Sequence, residues 1–123
     1  MHESNFPGTY KLVKYGYLYK SDQRFEPISE FYSGCIHYSA SGYMNVIVRF
    51  KEKPSVLEDV VAYSGTYKLD GAKIVHHVDT SVRPEYESQV LTRTYSLAGD
   101  KLETEFENTD EFRKFAVWER VRS

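Results

Sequence analysis

The fold is decided by one stretch of the chain, residues 60–82, which reads VVAYSGTYKLDGAKIVHHVDTSV. Apolar and polar side chains alternate on both sides of Asp70-Gly71, a pair that favours a tight hairpin turn. In a two-residue hairpin, the residues that flank the turn are paired and point to the same side of the sheet. One set of side chains is therefore predicted to face the interior: Tyr63, Tyr67, Leu69, Ile74, His76 and Val78.

The same alternation recurs along the chain and predicts strands at residues 8–19, 33–39, 43–51, 61–69, 72–82, 88–98, 101–108 and 112–121. Two further hairpins turn at residues 40–42, with Gly42 in a left-handed conformation, and at Gly99-Asp100. No long amphipathic helix interrupts the series. Sequential strands with mostly short connections favour an all-β fold, an eight-stranded antiparallel up-and-down barrel.

The predicted connections differ in length between the two ends of this barrel. Tight turns follow the second, fourth and sixth strands, and longer segments follow the first, third and fifth. Because alternate connections of an up-and-down barrel lie at the same end, one end is closed by tight turns. The other end is expected to be an open mouth, ringed by residues 20–32, 52–60, 83–87 and 108–111, with Phe25 and Phe31 at its fringe.

Length and composition limit the class of protein. The 123 residues fit one domain, predicted at residues 8–123 after an N-terminal tail of residues 1–7. A net charge of −2 lacks the basic excess of nucleic-acid or anionic-membrane binders. The single cysteine, Cys35, allows no intrachain disulfide. No apolar run is long enough to span a membrane, and the N-terminus has no signal-peptide pattern. We therefore expect a soluble, cytoplasmic protein that is a monomer or a weak homodimer.

The pentapeptide GTYKL occurs twice, at residues 8–12 and 65–69. The flanking sequences are not similar, which favours two strands with similar packing needs over a tandem duplication. In both copies the glycine would let another backbone or ring approach closely, or allow a bend.

The first copy also carries a resemblance. The predicted first strand opens with Gly8-Thr9-Tyr10, and the last strand carries Arg120. This resembles the lipocalins, in which a Gly-x-Trp on strand one packs at the closed end under an arginine from the final strand. The resemblance implies that Gly8, Tyr10 and Arg120 close the barrel, with Tyr10 in the place of the usual tryptophan.

A closer resemblance is to the short, soluble lipocalin-like domains, whose members read roughly GTW(R/K)LV, DGYM, YxGTY, VxHHV and VWERV. This chain has GTYKLV, SGYM, YSGTYKL, IVHHV and VWERV in the same order, across residues 8–121. The resemblance implies a calycin-type barrel with a central cavity. It implies no particular activity, because function depends on the site and not on the fold.

Arg93 is the most informative candidate for a binding residue. The alternation around Gly99-Asp100 places Arg93 inside the barrel, between Leu91 and Tyr95. A buried guanidinium needs an anionic partner, which could be a ligand carboxylate or phosphate held in bidentate fashion. The alternatives are an internal salt bridge, or a one-residue bulge that turns Arg93 outward.

His76 and His77 are adjacent, so on a strand they face opposite sides of the sheet. The turn places His76 inside, where it could donate to a ligand or act as an acid or base near neutral pH. The alternative is a core histidine that is bonded to a tyrosine hydroxyl. No spacing of the four histidines supports a zinc site, and no motif indicates a cofactor.

These residues lead to three hypotheses for function. The first is a barrel that binds a small, largely apolar molecule with an anionic or polar group. The second is a metal-independent enzyme, such as an isomerase, cyclase or hydratase, that uses His76 and Arg93 in the same cavity. The third is a barrel filled by its own side chains, with a structural or interaction role. The predicted ligand-binding residues are Arg93, His76, Tyr38, Tyr67, Tyr95, Met44, Val46 and Phe106, with Tyr63 as a further candidate cavity wall.

Overall fold

A computed structural model describes residues 5–27, 31 and 33–121 of the chain. Its strands are β1 (Gly8–Tyr19), β2 (Arg24–Pro27), β3 (Ser33–Tyr38), β4 (Tyr43–Arg49), β5 (Val60–Asp70), β6 (Lys73–Ser81), β7 (Val90–Ala98), β8 (Lys101–Asn108) and β9 (Phe112–Arg120). Neighbouring strands pair in antiparallel fashion, and β1 also pairs with β9, so the sheet closes on itself. The predicted up-and-down barrel of eight strands is confirmed, with β2 added to its rim.

The short strand β2 lies in the segment that the sequence predicted to be a loop. It pairs with the last four residues of β1, from Gly16 to Tyr19. A Cβ atom on Gly16 would lie 2.3 Å from the backbone oxygen of Glu26, so only glycine permits this close approach. Because β2 occupies one edge of β1 at this level, β3 pairs only with residues 8–11 of that strand.

The three predicted hairpins form, and their turns set which side chains face the interior. Gly42 has a φ of 95°, and Tyr38 lies opposite Met44, as a three-residue loop requires. The turn between β5 and β6 is Gly71-Ala72, one residue later than the sequence predicted, because Asp70 pairs with Lys73. Moving the turn by one residue moves the partner of each β5 residue by two positions along β6. Because side chains alternate with a period of two, the predicted interior face is unchanged.

Phe6 is buried, although the sequence placed it in an N-terminal tail. Its side chain is 1% exposed, and its ring lies 4.6 to 5.7 Å from the rings of Tyr38, Tyr67 and Tyr95. A single apolar ring with no neighbouring strand pattern gives no periodic signal, so the sequence could not show this role. Residues 1–4 of the predicted tail lie outside the described residues.

The two ends of the barrel differ, as the connection lengths predicted. Tight turns lie at one end, which we call the packed end. At the packed end, the three tight turns are bonded to neighbouring strands, through Tyr67 N–H to Gly42 O, Tyr95 N–H to Ala72 O and Arg120 N–H to Asp100 O. The longer loops lie at the other end, which we call the cavity end. They include short 3-10 turns at Leu57–Asp59 and Pro84–Tyr86. The remainder of the predicted rim, at residues 28–30 and 32, lies outside the described residues.

Candidate functional site

A cavity of about 400 Å³ occupies the half of the barrel towards the cavity end. A cavity of this volume is large enough for a small organic ligand. The barrel is therefore not filled throughout by its own side chains. Most of the wall is apolar or aromatic. The lining residues are Leu12, Tyr15, Ile36, Tyr38, Val46, Val48, Phe50, Val61, Tyr63, His76, Tyr86, Leu91, Arg93, Thr104, Phe106, Lys114, Ala116 and Trp118.

His76 is held between two tyrosines in the cavity wall. Its Nε2 lies 2.7 Å from the Tyr38 hydroxyl, and its Nδ1 lies 2.8 Å from the Tyr63 hydroxyl. Burial, assisted by the positive charge of Arg93, lowers the pKa of His76 to about 4, so the ring is neutral at physiological pH. Burial also raises the pKa of Tyr63 to about 12. The three groups are therefore an uncharged hydrogen-bonded chain.

This arrangement bears on the enzyme hypothesis. Both ring nitrogens of His76 are already engaged, so the imidazole presents no free nitrogen to a substrate. The alternative that the sequence left open, a core histidine bonded to tyrosine, describes the observed geometry. An isomerase, cyclase or hydratase activity stays a prediction for which no contact of His76 provides support.

Arg93 faces the cavity, as the alternation on β7 predicted. Its guanidinium lies 4.7 Å from the centre of the Phe106 ring and donates one hydrogen bond of 3.2 Å to the backbone oxygen of Thr92. The described part of the chain places no carboxylate within 4.0 Å of it. Lys114 also lines the cavity, and none of the described lining residues is Asp or Glu. The cavity therefore carries an excess of positive charge.

Five of the eight predicted ligand-binding residues line this cavity. They are Arg93, His76, Tyr38, Val46 and Phe106. Each was placed on the interior by the strand alternation, and the structure brings them together on β3, β4, β6, β7 and β8.

The other three predicted residues lie outside the cavity lining, in the packed end. Met44 is 1% exposed and belongs to the hydrophobic core. The rings of Tyr67 and Tyr95 lie against Phe6, which fills the space that they would otherwise border. Their interior orientation is as predicted, but the position of Phe6 along the barrel axis was not, and it separates them from the cavity.

Gly8, Tyr10 and Arg120 meet at the packed end. The Arg120 guanidinium lies 4.9 Å from the centre of the Tyr10 ring, and a Cβ on Gly8 would lie 2.5 Å from its Nη1. Arg120 also donates to the backbone oxygens of Pro7, at 2.7 Å, and Asn5. The tyrosine thus supplies the flat surface beneath the arginine that the resemblance assigned to tryptophan.

Lys114 and Trp118 are cavity residues that the sequence reasoning did not single out. They alternate with outward residues on β9, so the period of two that located Arg93 could also have found them. Trp118 donates its indole N–H to the Thr104 hydroxyl at 3.0 Å, which fixes the ring in the cavity wall. The alternation around Gly99-Asp100 also puts Thr104 on the interior face of its strand.

The remaining candidates for chemistry lie elsewhere. The His37 ring is bonded to the Thr9 hydroxyl at 2.7 Å, and His77 is exposed on the outer face. Within the described ranges, no three His, Cys, Asp or Glu side chains are placed to hold a metal ion. Over the same ranges, the structure contains no helix with the length and apolar character needed to cross a membrane.

Three comparisons place the chain among known proteins. The family model described as a lipocalin-like domain matches residues 7–121. None of the curated proteins matches. Among solved structures, one described as a redesigned beta barrel superposes with a TM-score of 0.51 at 11% sequence identity, over 98% of this chain and 95% of the other. At that identity the superposition concerns the fold alone.

Proposed function

The chain belongs to the family of lipocalin-like domains, and on that premise we propose that it binds a small, largely apolar molecule that carries an anionic group. The molecule would occupy the cavity, with its anionic group at Arg93. The observation that carries this proposal is a half-buried guanidinium that faces an apolar cavity and has no carboxylate partner among the described residues.

Charge and desolvation support the anion. An arginine that is partly withdrawn from water gains from a partner able to accept two hydrogen bonds, such as a carboxylate or phosphate. The guanidinium lies over the Phe106 ring and donates one hydrogen bond among the described residues, so several of its N–H groups are available to such a partner. Lys114 adds a second positive charge to the same wall. A neutral apolar ligand would fill the volume but would leave both charges without a counter-ion.

Two fluorescent dyes that share one aromatic frame provide the test. Anilinonaphthalene sulfonate carries a sulfonate, and phenylnaphthylamine is the same frame without it. We expect the wild-type protein to bind the anion at least about tenfold more tightly than the neutral dye, because a charge-assisted hydrogen bond contributes about 1.5–3 kcal/mol. Dissociation constants would be measured by fluorescence titration.

Arg93→Met keeps much of the side-chain volume and removes the charge. We expect it to reduce the preference for the anionic dye to within about threefold, while binding of the neutral dye persists. Lys73→Met is the matched control, because Lys73 is exposed at the start of β6, outside the cavity lining. The proposal would be contradicted if the wild-type protein bound neither dye. It would also be contradicted if Arg93→Met preferred the anionic dye as strongly as the wild-type protein does.

A further inference from the structure

One part of the cavity lining, which we call the inner wall, is formed by Tyr38, Tyr63, His76, Thr104 and Trp118. It holds hydroxyl protons for which the described residues provide no acceptor. A neutral histidine has one N–H donor and one acceptor nitrogen. His76 is bonded to a tyrosine hydroxyl at each nitrogen, so one tyrosine donates to the ring and the other accepts from it. The accepting tyrosine keeps its own proton. This holds for either tautomer, and the spare proton then belongs to Tyr38 or to Tyr63.

Thr104 provides a second spare proton by the same reasoning. The indole nitrogen of Trp118 is only a donor, so the Thr104 oxygen must accept in their 3.0 Å hydrogen bond. Thr104 is 4% exposed and lines the cavity. Its hydroxyl proton therefore points to no acceptor that the described chain supplies. A buried donor without a partner is unfavourable, so such groups normally meet an acceptor from a ligand or from water.

We propose that the ligand is an oxygenated acid: an anion whose apolar skeleton also carries at least one uncharged acceptor oxygen, such as a ketone, ester or ether. The acid would meet Arg93, and the uncharged oxygen would accept from the spare hydroxyls of the inner wall. This inference rests on the proposed function. It adds that the described wall offers spare hydroxyl protons beside His76 and Trp118, which a simple hydrocarbon acid would leave unmatched.

Straight-chain acids matched in length test this ligand class. Decanoate has a hydrocarbon tail, and the isomeric oxodecanoates add one ketone at successive positions. Calorimetric titration should show at least one oxodecanoate that binds about fivefold more tightly than decanoate, because a neutral hydrogen bond contributes about 1 kcal/mol. The best isomer would also report the distance between the arginine and the hydroxyls.

The double variant Tyr63→Phe with Thr104→Val removes two of the three hydroxyls to which spare protons were assigned and keeps the side-chain shapes. We expect Tyr38 then to donate to Nε2 of His76, so that the donors that remain, on His76 Nδ1 and Trp118, lie 2.8 and 3.0 Å behind the removed oxygens. We expect the advantage of the oxodecanoate to fall to about twofold or less, with the affinity for decanoate preserved. If the double variant does not fold, each single variant should lose part of the advantage.

The matched control is Tyr67→Phe with Thr94→Val. Tyr67 donates its hydroxyl to the backbone oxygen of Ser39 in the packed end, and Thr94 is exposed on the outer face of β7. This variant should keep the full preference.

A second measurement is the infrared stretching frequency of an isotope-labelled ketone. This frequency should fall on binding relative to its value in a hydrocarbon solvent, and it should recover in the Tyr63→Phe, Thr104→Val variant.

The outcomes separate the two proposals. If the protein prefers the anionic dye but no oxodecanoate exceeds decanoate, the oxygenated-acid inference is wrong and the anion site stands. If the anionic dye binds and none of the ten-carbon acids does, the ligand class is also wrong. If Arg93→Met leaves the preference for the anionic dye unchanged, the anion site fails, and the inference fails with it.

Discussion

Tyrosines occupy both ends of the barrel interior, but their hydroxyls are used differently. In the packed end, the Tyr10 hydroxyl donates to the backbone oxygen of Phe6 at 2.5 Å, and the Tyr67 hydroxyl donates to that of Ser39 at 2.7 Å. Each proton has one fixed acceptor within the chain. In the cavity, the two tyrosines on His76 share a single acceptor nitrogen, so one proton is left over. The first arrangement contributes to stability, and the second leaves a donor for which the described chain provides no acceptor and which the proposed ligand would meet.

The two interior arginines repeat this contrast. Arg120 donates to two backbone oxygens, lies 3.7 Å from the Asp100 carboxylate and covers the Tyr10 ring. Among the described residues, Arg93 has as its partners only the backbone oxygen of the preceding residue and one aromatic ring. A charge with several partners stabilises the fold, whereas a charge beside a cavity with few partners contributes little to stability. Unpaired interior charge is therefore the feature that most strongly indicates a binding site here.

Phe6→Ala should have the largest effect and tests whether the packed end carries the stability. Removing a fully buried ring costs about 3–5 kcal/mol, because the lost burial is added to the cost of a cavity. Urea unfolding would measure the loss. Phe106→Ala is the comparison within the cavity wall, and since that ring is half-buried we expect a loss of about 1–2 kcal/mol. Equal losses for the two variants would remove the distinction between the ends.

His76 should make the cavity end sensitive to acid. Its pKa is lowered to about 4 in the folded protein, against 6.5 in the unfolded chain. The unfolded state therefore binds the extra proton first as the pH falls. The stability from this group is complete above pH 6.5 and is lost between pH 6.5 and pH 4, by about 3 kcal/mol in total. The measurement is the free energy of unfolding at pH 7 and at pH 4.

Variants isolate this contribution from the titrating carboxylates. His76→Gln keeps a donor and an acceptor but does not titrate, so its stability should fall less than that of the wild-type protein over the same range. His77→Gln, on the outer face, should fall as the wild-type protein does. The same acid loss in His76→Gln and in the wild-type protein would show that the buried imidazole is not responsible.

Arg120 should contribute more than Arg93 to the free energy of unfolding, although Arg93 is the residue proposed to bind the ligand. Arg120→Met leaves two backbone oxygens without their donor and should cost about 2–3 kcal/mol of the free energy of unfolding. Arg93→Met removes a charge with no carboxylate partner in the described chain, and its stability should change by less than about 0.5 kcal/mol. Thermal and urea unfolding would measure both. A large loss in Arg93→Met would mean that its charge is compensated within the protein.

Much of the barrel could be predicted because strand alternation is a local rule. Once a turn is located, side chains on both strands are assigned to a face at a period of two. This rule placed Arg93, His76 and Tyr38 on the interior without any knowledge of the tertiary structure. The rule gave the correct faces even though the turn lies at Gly71-Ala72, one residue later than predicted. The cross-strand partners changed by two positions, so each side chain stayed on its predicted face.

Position along the barrel axis could not be predicted from the same rule. Tyr67 and Tyr38 both face inward and both lie against Phe6, yet Tyr38 also borders the cavity and Tyr67 does not. The deciding residue comes from outside the strands and has no periodic signal. The pairing of His76 with two tyrosines also depends on distances across three strands, which the sequence does not encode locally.

The sequence by itself determined the eight strands of the barrel, the three hairpins to within one residue, the interior faces of the main hairpins and the family, because these follow from alternation, turn chemistry and short motifs. The tertiary structure alone decided which end of the barrel is filled and which tyrosines, cations and hydroxyls meet across the cavity. The physical reason is that closure of the sheet brings together residues distant in sequence, and the volume left among them depends on all of their side chains at once.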